Sequence, residues 1–465
     1  MNRNLFSGML GMVILMTSCT LAPKYQRPEV PIPGDWPSGT AYREIKGPIP
    51  TEVRWQEFFS DEKLQKVIAL ALQNNRELRL AALNVQRARA LYGIQRAELW
   101  PAVNAAASGS QQRIPADLST TGEARTAEQY SVNLGISSWE IDFFGRIRSL
   151  KDRALEDYLA TEEGHRSAQI LLVSEVAIAY LALAADRERL NLARSTLETQ
   201  QAVYRLIRRR YELGVASGLD LYQAQTQVDA ARGDVARYTQ QAAQDENALS
   251  LLVGSPLPSQ LLPKELGSVS FTQEISAGIS SEVLLRRPDI LAAEHRLRAA
   301  HALIGAARAA FFPRISLTTA VGTASSELSG LFQSGSGTWL FAPQIVMPIF
   351  DARTWSAYEA SQAEREIALA QYEKAIQTAF REVADALAVR GTVEEQLSAQ
   401  QSLVNAVAET YRLSNLRYSK GVDSYLGVLD AQRSLRVAEQ LLVFLRLARI
   451  ANQVRLYAVL GGGRE

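Results

Sequence analysis

The chain carries one cysteine and three histidines in 465 residues. A lone cysteine, Cys19, excludes an intramolecular disulfide and a cysteine-built metal site. The histidines offer catalysis or metal binding almost nothing. His165 lies in a polar stretch of a long helical segment, and His295 and His301 are six apart, which does not bring them to one helical face. No glycine-rich phosphate loop follows a strand, no nucleophile elbow occurs, and no carboxylate–histidine cluster can be read. The sequence therefore argues against an enzyme, implies no cofactor, and leaves each histidine solvated or internally satisfied. Charge of one sign is also missing. The 50 basic and 49 acidic residues nearly cancel, and no basic stripe is interleaved with aromatics, which disfavours nucleic acid as a partner. Long hydrophobic runs are absent too: beyond the N-terminus the best stretch, ILLVSEVAIAYLALAA, is broken by Glu175.

The first residues are MNRNLFSGMLGMVILMTSC: one arginine, an apolar run from Leu5 to Met16, then Thr17, Ser18 and Cys19. That is the layout of a secretory signal peptide, too short to span a bilayer. A cysteine at the cleavage position resembles a bacterial lipobox, whose cysteine becomes the lipidated first residue. Met16 stands where leucine is more usual, and Thr20 after the cysteine, rather than aspartate, is the sorting pattern of the outer membrane. A protein sent to a membrane without a spanning helix attaches by lipid or inserts as a β-barrel.

The rest of the chain is written twice. RYELGVASGLDLYQAQTQ (Arg210–Gln227) and RYSKGVDSYLGVLDAQRS (Arg417–Ser434) share Tyr211/Tyr418, Gly214/Gly421, Val215/Val422, Ser217/Ser424, Leu219/Leu426, Ala224/Ala431 and Gln225/Gln432 at a constant offset of 207. RALYGIQRAELWPAV (Arg89–Val103) matches HALIGAARAAFFPRI (His301–Ile315) at an offset of 212. Two copies indicate an internally duplicated fold rather than a solenoid. In each copy a charged, alanine-rich helix, about Asp61–Leu99 and Glu282–Ala310, ends before a proline. A low-charge region follows, then a very long helix (about Arg146–Leu213 and Arg353–Lys420), a turn and a last helix. Each long helix would span roughly 100 Å, which demands coiled-coil packing. Leu190, Leu197, Tyr204 and Tyr211 sit seven apart, as do Leu397, Val404, Tyr411 and Tyr418, a period that imposes left-handed supercoiling.

The low-charge regions alternate. Val103, Ala105 and Ala107 alternate with Asn104, Ala106 and Ser108, and Val132, Leu134 and Ile136 with Asn133, Gly135 and Ser137. In the second copy Ile315, Leu317, Thr319 and Val321 share one parity, as do Trp339, Phe341 and Ile345. Period two with one apolar face, and aromatics such as Trp100, Trp139, Phe312 and Phe350 at the ends, marks transmembrane β-strands with their interfacial girdles. Four strands cannot close, and an edge facing lipid leaves backbone groups unpaired, so the chain must borrow strands from other copies. This requirement does not choose between a dimer and a trimer.

The stretches CTLAPKYQRPEVPIPGDW (Cys19–Trp36), WQEFFSDEKLQKVIALALQNN (Trp55–Asn75), the segment Glu128–Gln169 around FFGRIRSLKDRALEDY, and YSKGVDSYLGVLDAQRSL (Tyr418–Leu435) resemble the TolC family of outer-membrane factors. They are most similar to its lipidated OprM-like branch, which serves resistance-nodulation-division (RND) drug pumps, and the resemblance covers essentially the whole chain. It implies a mainly α fold with a transmembrane β part. Four strands per protomer would enter a trimeric 12-stranded β-barrel, continuous with a long coiled-coil α-helical barrel and a mixed equatorial region. On this reading residues 1–18 are a signal peptide and 19–60 an N-terminal extended, equatorial segment. Residues 61–253 are the first repeat with its hairpin at about 102–140, and 254–280 an equatorial linker. Residues 281–460 are the second repeat with its hairpin at about 314–350, and 461–465 a tail. The implied role is the exit duct of a tripartite efflux pump in the outer membrane. It would be a lipid-anchored homotrimer extending into the periplasm, conducting drugs passively and docked to a periplasmic adaptor and an inner-membrane RND pump.

The same resemblance carries functional residues onto the turns. Asp430 matches an aperture aspartate, Leu426 an apolar constriction one helical turn earlier, Asp220 a partner aspartate and Tyr418 a tyrosine of the closing network. Three aspartates converging on an axis repel and resist closure, whereas a ring of leucines closes by packing and dewetting. The plain alternative is that Asp220 and Asp430 serve only as helix N-terminal residues favoured by the macrodipole. Asp423 and Gly427 stand where some family members have arginine and aspartate, so any ion-pair latch would have to be rebuilt here, through Arg417 or Arg210. Gly214, Val215, Ala216, Gly421 and Val422 are expected at the adaptor-docking tips, though glycine there also suits a simple helix cap. The other readings are a duct for metal export or type I protein secretion, and a lipid-anchored periplasmic coiled-coil scaffold without a channel.

Overall fold

A computed structural model of the chain describes residues 20–42, 53–268 and 280–462. The signal peptide, Cys19, part of the 254–280 linker and residues 463–465 lie outside the described residues. Each repeat shows helix, hairpin, long helix, turn, helix. The first contains α1 (Glu62–Asn74), α2 (Arg76–Ala97), β1 (Val103–Ile114), β2 (Arg125–Glu140), α3 (Arg146–Glu212) and α4 (Gly218–Val253). The second contains α5 (Pro288–Ala309), β3 (Arg314–Ser325), β4 (Gly337–Val346), α6 (Ala352–Ser419) and α7 (Tyr425–Val459).

Two boundaries differ from the sequence expectation. The first helix, expected unbroken over Asp61–Leu99, is two helices parted at Asn75. Asn75 turns extended (ψ 131°), accepts the Leu78 amide on its side-chain oxygen at 2.8 Å, and donates its amide to the Leu252 carbonyl at 2.7 Å. An asparagine that caps the following helix and satisfies a distant carbonyl outcompetes helical continuity. The corresponding helix of the second copy, expected from Glu282, begins at Pro288 after a 3₁₀ segment, Ser281–Arg286. Proline pushes Arg287 to ψ 135° and is well placed as a first helical residue.

The described residues divide into two compact units. The sheet unit, described residues 20–29, 84–162 and 292–372, holds one antiparallel meander in the order β1-β2-β3-β4. Its register joins the apolar parities of all four strands. Val103 faces Ile136, Ala105 faces Leu134, Leu134 faces Val321, and Val321 faces Trp339. A bulge between Ile136 and Trp139 adds one residue to β2, with Ser138 at φ 53° donating its amide to Thr318 Oγ1 at 3.1 Å. The extra residue returns Trp139 to the apolar face opposite Leu317. That face is bare: Val103, Leu134, Val321, Trp339, Phe341 and Ile345 are all exposed. The other face carries Asn104, Ser108, Ser131, Asn133 and Gly322, with Leu340 as an apolar exception. Among the described residues β1 and β4 each pair with one neighbour only. Below the strands Arg146 and Arg314 both meet Glu140, at 2.7 and 3.3 Å, and Phe144 stacks on Phe312.

The second unit, described residues 30–42, 53–83, 163–268, 280–291 and 373–462, is helical. Its core packs Phe58 and Phe59 against Tyr457, with Leu64, Val67 and Ile68 of α1 fully buried. Helix α3 contains the one described stretch apolar enough by length and composition to cross a membrane, and over half of it is buried inside the protein. Val173, Val176, Tyr180, Leu181 and Leu183 supply core side chains instead. The heptad reading has a burial counterpart in part: Leu190 is buried and Leu197 and Tyr204 are half-buried, Ala193, Gln200 and Ile207 form a buried row seven apart beside them, and Tyr211 at the end of the ladder is exposed.

The N-terminal segment expected as one equatorial stretch is divided, since residues 20–29 belong to the sheet unit and the following residues to the second unit. His295 is internally satisfied, as expected of it. His295 Nδ1 lies 2.6 Å from Glu156 Oε2, a carboxylate–histidine pair invisible in the sequence because its members are 139 residues apart.

Candidate gate at the helix–turn–helix tips

Both turns of the second unit end their long helix the same way. Gly214 and Gly421 sit in the left-handed region (φ 76° and 72°). The Val215 amide reaches back to the Arg210 carbonyl at 2.8 Å and the Gly214 amide to Tyr211 at 2.9 Å. Val422 and Gly421 repeat this onto Arg417 and Tyr418 at 3.0 and 2.9 Å. Each is a Schellman cap, which needs a residue tolerant of positive φ where the glycine stands. The valine that such a cap often tucks in is left 64% exposed at Val215 and 60% exposed at Val422. Leu213 and Leu219 are exposed beside Val215.

The two tips then diverge. In the first, Ser217 and Asp220 form a capping box: the Asp220 amide donates to Ser217 Oγ at 3.1 Å, and the carboxylate accepts from the Ser217 amide at 3.2 Å and its hydroxyl at 2.8 Å. In the second, Ser424 makes no side-chain cap bond, and Gly427, at the position of Asp220, has no side chain to return one. That tip is strapped instead by Arg417, whose guanidinium grips Asp423 on two oxygens at 2.5 and 3.1 Å and holds its carboxyl below the usual range. The repeat counterpart of Asp423 is Ala216, so Arg210 meets no acid at that position; its guanidinium lies 5.7 Å over the Tyr418 ring. Of the two arginines named for a rebuilt latch, one closes its own turn and the other bridges the repeats.

An apolar cluster joins the two tips. Ile207, Ala224, Tyr425, Val428 and Leu429 are buried, with Val203, Tyr204, Leu221, Tyr411 and Tyr418 packed against them. Tyr425 and Tyr418 lie with ring centroids 5.1 Å apart. Burial pushes both hydroxyls above the ordinary tyrosine range; at Tyr418, Arg210 opposes the shift and Asp220 adds to it. Tyr425 was not among the residues the sequence singled out. A signal for it existed: its counterpart in the first copy is Gly218, one of the sharpest mismatches between the two turns. On the opposite side of α7, Leu426 (61% exposed) and Asp430 both face solvent, one helical turn apart. The structure thus brings Asp220 and Tyr418 together at the joint between tips, and sets Leu426 and Asp430 on a free face. A cavity of about 510 Å³ elsewhere in this unit, beside Trp55, Arg166, Arg286 and Tyr457, involves none of these residues.

A four-stranded sheet with one bare apolar face and two duplicated coiled-coil hairpins define an outer-membrane channel subunit, and the comparisons agree. The chain belongs to the outer membrane efflux protein family, whose model matches residues 67–255 and 279–462. It is 49% identical over 453 residues to a toluene efflux pump outer membrane protein, TtgC, of Pseudomonas putida, covering 97% of this chain and 93% of that one. It is 44% identical to outer membrane protein OprJ of Pseudomonas aeruginosa, over 98% and 96% of the two chains. Among solved structures, the open state of the Neisseria gonorrhoeae MtrE outer membrane channel superimposes with a TM-score of 0.86 at 38% identity, covering 96% of this chain and 98% of that one. The Campylobacter jejuni CmeC outer membrane channel does so with 0.88 at 26% identity, over 96% of both.

Proposed function

We propose that three copies of this chain close a 12-stranded barrel through the outer membrane, β4 of one pairing with β1 of the next, and that the assembly is the passive exit duct of a tripartite efflux pump. The observation that carries this is the open sheet. Its edges leave backbone groups that lipid cannot satisfy, and an even number of strands per copy lets an antiparallel ring close. Cys19 is acylated and holds each copy to the membrane. The helical tips form the periplasmic mouth. Leu426 and Asp430 line its aperture, while Asp220 and Tyr418 belong to the joint that sets its width. Gly214, Val215, Ala216, Gly421 and Val422 meet a periplasmic adaptor, for which the exposed Val215 and Val422 supply apolar contact. An inner-membrane RND pump delivers the cargo, and the duct performs no chemistry on it. Relatives named for toluene and antibiotic efflux support small apolar and drug-like cargo.

The test is disulfide capture across the edges. Ala106→Cys on β1 is combined in turn with cysteine at Leu340, Ala342 and Gln344 of β4, which share its face. Oxidation in intact outer membranes is expected to link copies into a series that ends at a closed trimer. If no pair links copies, the strands do not meet across protomers and the chain is a lipid-anchored scaffold instead.

A further inference from the structure

One buried carboxylate of the sheet unit accepts four hydrogen bonds from three residues. Glu294 of α5 is 2% exposed. Its carboxylate accepts from Tyr25 Oη at 3.0 Å, from Arg27 Nε and Nη2 at 3.1 and 2.5 Å, and from Arg298 Nη2 at 2.7 Å. Burial works against the charge, but these donors outweigh it and keep the carboxyl below its ordinary range. The same N-terminal segment touches α5 at three further levels. Arg298 lies 4.8 Å over the Tyr25 ring, and His301 meets that ring edge-on at 5.5 Å. Gly305 is bare where Ala22 crosses, since a Cβ there would stand 2.7 Å from the Ala22 Cβ. Arg308 Nη1 donates to the Leu21 carbonyl at 3.3 Å.

Residues 294, 298, 301, 305 and 308 form one stripe of α5, and the segment runs along it in the opposite direction. From Glu294 to Arg308 the helix advances fourteen residues, about 21 Å. From Arg27 to Leu21 the segment follows that length with six residues and a bend at Ala22, the Arg27 and Arg308 side chains making up the reach at its two ends. Pro23 and Pro28 stiffen it. Apolar packing alone would let such a chain slip along the helix, whereas the two-pronged Arg27 fork fixes its register. Cys19 is two residues beyond Leu21, within about 7 Å of chain reach, and β3 begins at Arg314, shortly after Arg308.

We infer that residues 21–27 are a ruler, clamped in register on α5 at Glu294, that fixes the distance between the acylated Cys19 and the start of β3, so that the lipid holds the sheet at one depth while copies assemble. This rests on the acylation of Cys19 proposed above. Glu294 is its positioning residue.

Three full-length variants test it: Glu294→Gln, a four-residue Gly-Ser insertion after Pro23, and Cys19→Ser. The insertion lengthens the ruler but leaves the partners of Glu294 in place, so it does not orphan a buried charge. Pulse-chase formation of detergent-resistant oligomer in the outer membrane is followed alongside incorporation of labelled palmitate. Glu294→Gln and the insertion are each expected to take up palmitate normally and to assemble severalfold more slowly. In the Cys19→Ser background neither is expected to slow assembly further, because no lipid remains to be positioned. An equal slowing in both backgrounds would show a purely packing role and overturn the ruler, as would an insertion without effect. Absence of palmitate from the wild-type chain would overturn the acylation reading and the ruler together.

Discussion

Tyr425 and Leu426 are adjacent and should behave oppositely. Tyr425 is 2% exposed and holds the cluster shared by the two tips. Truncating a buried aromatic to alanine costs about 3–5 kcal/mol. Leu426 is 61% exposed. Complete burial of a leucine is worth about 1.5–3 kcal/mol, so the two-fifths of Leu426 that is covered contributes roughly 1 kcal/mol or less. Hydrogen exchange of amides near Tyr418 and Ile207 reads the difference. Tyr425→Ala should lower their protection by roughly two to four orders of magnitude, at 1.36 kcal/mol per tenfold. Leu426→Ala should lower it tenfold at most, yet still raise single-channel conductance, because its side chain stands on the free face of α7 with Asp430. Equal loss of protection in the two variants would refute the assignment of one to the joint and the other to the aperture. Unchanged conductance in both Leu426→Ala and Asp430→Ala would refute the aperture.

Other consequences are as specific. Asp245 on α4 is pushed up to about 6 by burial, with hydrogen bonding and repulsion from buried Asp186 of α3 adding to it, against Gln241 and Arg189. A carboxyl whose folded value lies above its unfolded one stabilises most below the unfolded value and loses this as pH rises through the folded one, so melting temperature should fall between about pH 4 and 6. Asp245→Asn should flatten that fall. Gly421→Ala meets nothing within 4 Å, so its cost is the positive φ alone, about 1–2 kcal/mol by urea denaturation, and Gly421→Asn should cost less. Gly322→Val would place a Cβ 2.1 Å from the Val132 carbonyl and should abolish detergent-resistant oligomer, whereas Gly337→Ala, with open space around it, should not.

Much of this architecture is legible before folding. The constant offset between Tyr211 and Tyr418 exposes the duplication, and the alternation Val132–Ile136 and Ile315–Val321 marks strands whose register joins the same residues. What escapes is whatever depends on partners far along the chain. Asn75 breaks a helix because Leu252 offers a carbonyl, and Glu156 finds His295 across 139 residues. At the tips, the sequence points to Leu426, Asp430, Asp220 and Tyr418 through family resemblance. It leaves out Tyr425, whose importance comes from four helices converging on one ring. The division of labour between Arg210 and Arg417 likewise depends on a ring contact between repeats and a bond across one turn.

The central claim is that this chain forms a conducting channel through the outer membrane. Single-channel recording of the purified full-length protein in planar bilayers tests it most directly. Discrete, ion-conducting steps that enlarge in Leu426→Ala are the predicted result. A bilayer that stays silent while the protein is incorporated would contradict it.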